Sequence, residues 1–331
     1  MANLDRRTFL AAGAGTALTV LAAGRASAAP SNAGQKVVYS YPGLTPPAEL
    51  LTKVSKGQVG GVIFFSDNVS SAGQLASVAA EFRKASPGPL ALLVDQEGGE
   101  VNRIPGGPGL SAKQVGAAAN PAASARSQGA TAAAVLRGAG MSGDLAPVLG
   151  VYRSAGDFLD SAGRSFSSDP AVVGQAGAAF ISALQGAGIS ACAKHFPGLG
   201  AASAGADTDT GPVTIDLPAA TLESIDMAPY RAAVAAGVRM VMTSWAVYPA
   251  LDPANPAGMS RTVIQTYLRG RIGFRGTVIT DALEAGAVAR YGSTGNRAVA
   301  AVRAGADLLC CSSRDVAQGD EAAAALAAAG L

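Results

Sequence analysis

The sequence predicts an α/β protein built as a single (β/α)₈ TIM barrel, and three observations carry that prediction. Eight short apolar runs recur along the 331 residues, most of them separated by Ala-rich stretches long enough for a helix. The runs are continuously apolar rather than alternating, as strands buried on both faces must be. No G-x-G-x-x-G follows the first run, which removes the signature of the rival doubly wound dinucleotide-binding sheet. Eight strand–helix units over about 300 residues fit a closed barrel.

In order, the expected strands are Val37–Tyr41, Val59–Phe65, Ala91–Asp95, Asp144–Leu149, Ile189–His195, Arg239–Trp245, Gly276–Asp281 and Ala306–Cys311. Helical spacing is clearest over Ala171–Ala187, Leu222–Ala236 and Val263–Arg271. The chain is expected to hold no linker, internal repeat or second domain. Residues 31–34 read as a short leader to the barrel.

The first 28 residues read as an export signal. Arg6-Arg7-Thr8-Phe9-Leu10 precedes an apolar stretch from Ala11 to Gly24, and Ala26-Ser27-Ala28 supplies an A-x-A ending. The apolar stretch is shorter than the roughly 20 residues a membrane span needs. The paired arginines favour the twin-arginine route, with the mature barrel at 29–331 and a secreted or extracytoplasmic location. Of 25 basic and 23 acidic residues, Arg6, Arg7, Arg25 and Asp5 lie in the signal, leaving 22 of each. A neutral mature chain argues against nucleic acid or an acidic membrane as partner. Cys192, Cys310 and Cys311 are too few and too clustered for a disulfide framework and read as small buried strand residues. With a single histidine, His195, there is no zinc-binding set, and no metal is expected.

A barrel places its chemistry at the C-terminal ends of the strands. There the sequence puts Asp95-Gln96-Glu97, Lys194-His195, Ser244-Trp245 and Thr280-Asp281. Charged groups directly after buried strands are costly unless paired or used.

Four ordered stretches resemble glycoside hydrolase family 3, in its single-domain β-N-acetylglucosaminidase branch. They are Leu92-Leu93-Val94-Asp95-Gln96-Glu97-Gly98-Gly99, Gly163-Arg164-Ser165-Phe166, Lys194-His195-Phe196-Pro197-Gly198 and Val278-Ile279-Thr280-Asp281-Ala282-Leu283. Gly60–Phe65 and Val247–Asp252 add support, so the resemblance spans about residues 59 to 311. It implies a secreted, retaining exo-glycosidase that releases a terminal β-linked sugar, N-acetylglucosamine from cell-wall or chitin fragments, without a cofactor. Asp281 would be the nucleophile; on residue type alone it is equally a helix cap after a strand. Asp95, Arg103, Arg164, Lys194 and His195 match the residues that grip sugar hydroxyls. Read without the resemblance, His195 is a hydrogen-bonded strand-end residue, and Arg164 and Lys194 are ion-pair partners of Asp95.

The sequence departs from that family at three places. The family's acid/base is the His of an Asp-Ser-His loop, but here the loop runs Ser203–Pro212 without histidine. A two-residue insertion aligns Asp209 with that His, supported by Asp207; an ungapped alignment puts Asp207 there instead. A carboxylic acid can serve if its pKa is raised from about 4 toward neutrality. Glu100 stands where the family usually carries Arg, and Trp245 where it often carries His. Trp245 is expected to stack on a sugar face. Two other readings stay open: a β-glucosidase or β-xylosidase of the same family, and a sugar-binding barrel that has lost its acid.

Overall fold

The computed structural model describes residues 32–331. Its eight parallel strands are β1 (Val37–Tyr39), β2 (Gly61–Phe64), β3 (Ala91–Val94), β4 (Gly143–Asp144), β5 (Ser190–Phe196), β6 (Met240–Thr243), β7 (Thr277–Ala282) and β8 (Leu308–Cys310). They pair in sequence order, and β8 returns to β1 to close the barrel. The helices around it are α1 (Ala48–Ser55), α2 (Ala72–Ala85), α3 (Pro121–Gly138), α4 (Pro170–Gly186), α5 (Ala228–Ala235), α6 (Thr262–Arg271), α7 (Thr294–Ala304) and α8 (Val316–Ala328). Local chemistry starts several of them. Ser71, Asn120, Asp169, Ser293 and Asp315 each accept a backbone N–H of the first turn, and Pro121 and Pro170 open α3 and α4. Among the described residues, no helix is long and apolar enough to cross a membrane.

Side chains fill the barrel in two sets. Val38, Ile63, Leu93, Leu145, Cys192, Met240, Met242, Ile279 and Cys310 point inward and form a closed plug. The alternate residues, such as Val62, Leu92, Ala191, Val241 and Val278, pack outward against the helices. The plug matters for function because its upper surface becomes the floor of the site. All three cysteines are free and buried.

Three expectations are corrected. The fourth run was expected to be strand to Leu149; the regular ladder of β4 stops at Asp144, Pro147 having no N–H to give it, and pairing with β5 resumes only at the single bridge Val148–Lys194. The helix expected over Leu222–Ala236 is broken: a π-helical turn, Leu222–Asp226, precedes α5, whose first turn holds Pro229. The leader expected over 31–34 is, over its described residues 32–34, part of a 3₁₀ turn (Asn32–Lys36), with Ala33 buried in the core. Gly34 passes so close to the chain that an added Cβ would lie 2.1 Å from the Gln58 carbonyl. The export signal over 1–28 lies outside the described residues.

Candidate active site

At the C-terminal end of the barrel a cavity of about 440 Å³ opens above the plug. Ile63, Leu145, Met242 and Cys310 form its floor. Its walls include Asp95, Arg103, Arg164, Lys194, His195, Asp207, Asp209 and Asp281, eight of the nine site residues expected from sequence.

The ninth, Trp245, is elsewhere. It is 1% exposed, so no ring face is open to a sugar. Its indole Nε1–H donates to the Ala282 carbonyl at 2.7 Å, and Gly258 lies flat against the ring, where a Cβ would be 2.4 Å from Cζ3. Trp245 therefore fastens the end of β7, one residue from Asp281, rather than lining the cavity.

The deep layer of the site is a charge lattice. Asp95 and Glu97 flank the turn into a small hairpin, Gln96–Gly98 with Val101–Asn102. Spacing of two puts both carboxylates on one side, while Gln96 turns the other way. The Gln96 amide accepts the Arg103 and Ile104 N–H groups at 3.0 Å each and donates to the Ile104 carbonyl, which fixes the hairpin carrying Arg103. Below it, fully buried Asp144 accepts the Gln96 N–H at 2.9 Å; burial pushes its carboxyl up to about 8. Gly98, at φ +96, leaves no room for a side chain against the Leu110 carbonyl.

Lys194 Nζ lies 2.6 Å from Asp95 and 2.7 Å from Glu97. Arg164 grips Glu97 through two bonds of 2.8 Å. Burial would discharge Lys194, but the two carboxylates hold its ammonium well above the usual lysine range. Burial likewise opposes the Glu97 charge, yet Lys194 and then Arg164 pull its carboxyl well below the usual carboxylate range. Arg164 thus pairs with Glu97, not with Asp95, and Glu97 joins the site although sequence reasoning gave it no role. The available signal was its spacing of two from Asp95 on a hairpin.

Lys194 and His195 are adjacent, yet both face the cavity. The ladder from β5 to β6 shifts register between Ala193 and Phe196, an irregularity of the kind that re-aims side chains. The same strand end is held by Phe196, edge-on to Tyr230 at 5.0 Å, and by the Tyr248 hydroxyl donating to the Gly198 carbonyl at 2.9 Å. Burial, and then Arg164 and Lys194, hold the His195 imidazole neutral. Its Nε2 stands 3.9 Å from Asp281 Oδ2, too far for a hydrogen bond, and its buried Nδ1 has no partner among the described residues.

Asp281 sits where the β7–β8 ladder shifts register, between Ile279 and Ala282. Its Oδ1 accepts the Ala282 N–H at 2.8 Å, and its side chain is 20% exposed, toward the cavity. Burial first, then the charge of Asp209, raises its carboxyl to about 7.

The loop with Asp207 and Asp209 is tied to the segment after β7. Gly286 N–H donates to the Asp209 carbonyl at 2.9 Å and Ala287 N–H to that of Thr208 at 3.0 Å. A Cβ on Gly286 would come within 2.5 Å of the Thr210 carbonyl, so the close approach depends on glycine. The two aspartates differ. Asp207 Oδ1 accepts the Asp209 N–H at 2.9 Å, which makes its side chain part of the turn. Asp209 has no side-chain hydrogen bond among the described residues, and enclosure by the loops followed by the charge of Asp207 raises its carboxyl above the usual range.

Residues 35–330 match the family described as Glycosyl hydrolase family 3 N terminal domain. An "uncharacterized secreted glycosyl hydrolase" of Arthroderma benhamiae is 46% identical over 295 residues, covering 87% of this chain and 83% of its own. A β-hexosaminidase of Xanthomonas oryzae pv. oryzae is 35% identical, with 76% and 75% covered. Among solved structures, the β-N-acetylhexosaminidase of Beutenbergia cavernae superposes with a TM-score of 0.81 at 31% identity, covering 90% of each chain. A family 3 β-N-acetylglucosaminidase of a Paenibacillus strain gives 0.84 at 32% identity; the chain spans 90% of itself and 57% of that protein. The match runs through every strand that supplies a wall of the cavity, and on that extent the chain belongs to glycosyl hydrolase family 3.

Proposed function

We propose that the protein is a secreted retaining exo-glycosidase of the β-N-acetylhexosaminidase type, with Asp281 as nucleophile and Asp209 as acid/base. The observation that carries this reading is the convergence of the two carboxyl groups, one from the end of β7 and one from the loop after β5, on one closed-floored cavity whose remaining walls are a paired charge lattice. A floor of plug residues stops the chain of a polysaccharide, so one terminal sugar enters and the rest extends outward. Asp95, Lys194, His195, Arg103 and Arg164 then hold its hydroxyls with charge-assisted bonds.

Asp281 attacks the anomeric carbon as the glycosidic oxygen takes the proton of Asp209, and the leaving sugar departs. Asp209, now ionised, takes a proton from water; the water oxygen attacks the same carbon and frees Asp281. Two inversions retain the configuration. Coupled carboxyls titrate as a pair, so one proton shared between Asp209 and Asp281 suits a cycle in which one is acid while the other is carboxylate.

Relatives named β-hexosaminidase and β-N-acetylglucosaminidase support N-acetylglucosamine as the sugar released. The Arthroderma relative's description as secreted, with the Arg6-Arg7 leader, supports an extracytoplasmic location. A panel of p-nitrophenyl β-glycosides tests the sugar: the N-acetylglucosaminide is cleaved with a β-anomer as first product. Preference for the glucoside or xyloside, or cleavage of none, contradicts the reading.

A further inference from the structure

With Trp245 buried, the cavity takes its aromatic surface from elsewhere. Phe65 lines it and is half-buried. This residue follows β2 directly, and its extended backbone, φ −116 and ψ 175, carries the pleat of the strand one position further. Alternation then puts its side chain on the same inward face as Ile63. The ring rests on the plug, one step above the floor. Phe64 pairs with Val94, so Phe65 and Asp95 come next to each other on the wall. One offers an aromatic face where the other offers a carboxylate.

The ends of β1, β2 and β8 together hold this ring. The Phe65 N–H donates to Asn68 Oδ1 at 2.8 Å. Asn68 is fully buried and donates through Nδ2 to the Tyr41 and Gly43 carbonyls at 2.9 and 2.7 Å. After β8, Arg314 has φ +61, the one non-glycine residue with positive φ among those described. That conformation costs energy outside glycine and persists where the surroundings enforce it. Here the buried Ser40 Oγ accepts the Arg314 N–H at 2.8 Å. The Arg314 guanidinium lies over the Phe65 ring, with Cζ 5.8 Å from the centroid, and Asp67 stands 3.7 Å from it. Arg314 is not among the residues that line the cavity, so it supports the ring without closing it off. Phe158, the other ring on the wall, packs instead against the core outside the plug, and its N–H is tied to the Ala202 carbonyl at 3.0 Å.

Apolar ring surface left open among charges favours any ligand that covers it. A pyranose fits, since its hydroxyls radiate from the edge while C–H groups make up its faces. We infer that Phe65 is the platform on which a C–H face of the terminal sugar lies, with Asp95 and Lys194 taking hydroxyls at the edge. The inference rests on the proposed glycosidase reading and adds a substrate contact to it.

The test compares Phe65→Tyr, Phe65→Leu and Phe65→Ala with the wild type, by kcat/KM on an N-acetylglucosamine disaccharide and by inhibition with free N-acetylglucosamine. Tyr keeps the ring and should stay within about twofold, whereas Leu keeps apolar bulk without a ring and should lose about three- to tenfold. Ala should lose more than Leu. The inhibition constant of the monosaccharide should rise by the same factors, because the contact is to the terminal sugar. If Leu matches the wild type, the ring serves only as packing and the inference is overturned. Loss on the disaccharide with unchanged monosaccharide inhibition overturns it too, as does the same pattern in Phe158→Leu but not in Phe65→Leu. A second measurement uses Trp245, the single tryptophan of the chain, as a silent background. Phe65→Trp should show an emission shift to shorter wavelength with N-acetylglucosamine that the wild type lacks; no shift at inhibiting concentrations counts against the platform. If the wild type cleaves no N-acetylglucosaminide, the glycosidase reading fails, and this emission shift alone decides whether Phe65 meets the sugar.

Discussion

Replacing Asp281 by Asn should abolish turnover and at the same time stabilise the fold, in a manner set by pH. The folded protein holds the Asp281 carboxyl at about 7 against an ordinary 3.8, because burial and the charge of Asp209 disfavour the carboxylate. A group whose pKa is raised on folding favours the native state fully below its unfolded pKa. That contribution is lost as pH climbs through the folded value, here between about 4 and 7. The displacement corresponds to a ceiling on the order of 4 kcal/mol for keeping Asp281 charged above pH 7. Asn has the shape of the protonated acid, and its Oδ1 can still accept the Ala282 N–H. Urea denaturation of both proteins at pH 4 and pH 8 reads the difference. The Asn protein should match the wild type at pH 4, exceed it by up to about 4 kcal/mol at pH 8, and lose several orders of magnitude in kcat. Equal midpoints at pH 8, or a less stable Asn protein there, would refute the claim that the fold strains against an ionised Asp281.

Other predictions follow from the acid loop and the leader. Asp209→Ala should cripple hydrolysis of a disaccharide yet spare much of the first step on a dinitrophenyl glycoside, and azide should restore turnover by attacking the intermediate without a general base; if Asp207→Ala shows this pattern instead, Asp207 is the acid. Gly286→Ala should push the loop away from β7 and lower kcat on a natural disaccharide roughly tenfold or more, with a smaller loss on the dinitrophenyl substrate; equal losses on both would mean the loop does not position the acid. The secreted protein should begin near Ala29, as N-terminal sequencing would show, and Lys at both Arg6 and Arg7 should block its export; normal export would leave the general secretion route as the better account.

Much of the architecture was legible because each barrel strand is buried on both sides and reads as an unbroken apolar run. The strand ends were legible for a related reason: a charge directly after such a run, as at Asp95, Lys194 or Asp281, is conspicuous. What stayed hidden depends on contacts between distant segments. Trp245 follows a strand as a sugar platform would, and only its packing against Gly258 and its bond to Ala282 show it to be core. Glu97 lies within the stretch Leu92–Gly99, but its role requires Arg164, 67 residues later, to fold back onto it. The choice between Asp207 and Asp209 turns on a two-residue slip that alignment leaves open. In the fold the Asp207 carboxylate is occupied by a backbone N–H while that of Asp209 is free of side-chain bonds among the described residues. The break before α5 has its signal in Pro229, but the apolar spacing continues through it and masks that signal.

Trapping the glycosyl intermediate tests the central claim most directly. A 5-fluoro N-acetylglucosaminyl fluoride should inactivate the enzyme in a time-dependent way, since the ring fluorine slows both steps while the fluoride leaving group lets the first proceed. Peptide mass spectrometry should then find one sugar on the peptide containing Asp281, and none in the Asp281→Asn protein. A sugar attached to any other residue, or inactivation with no covalent adduct, would contradict Asp281 as the nucleophile.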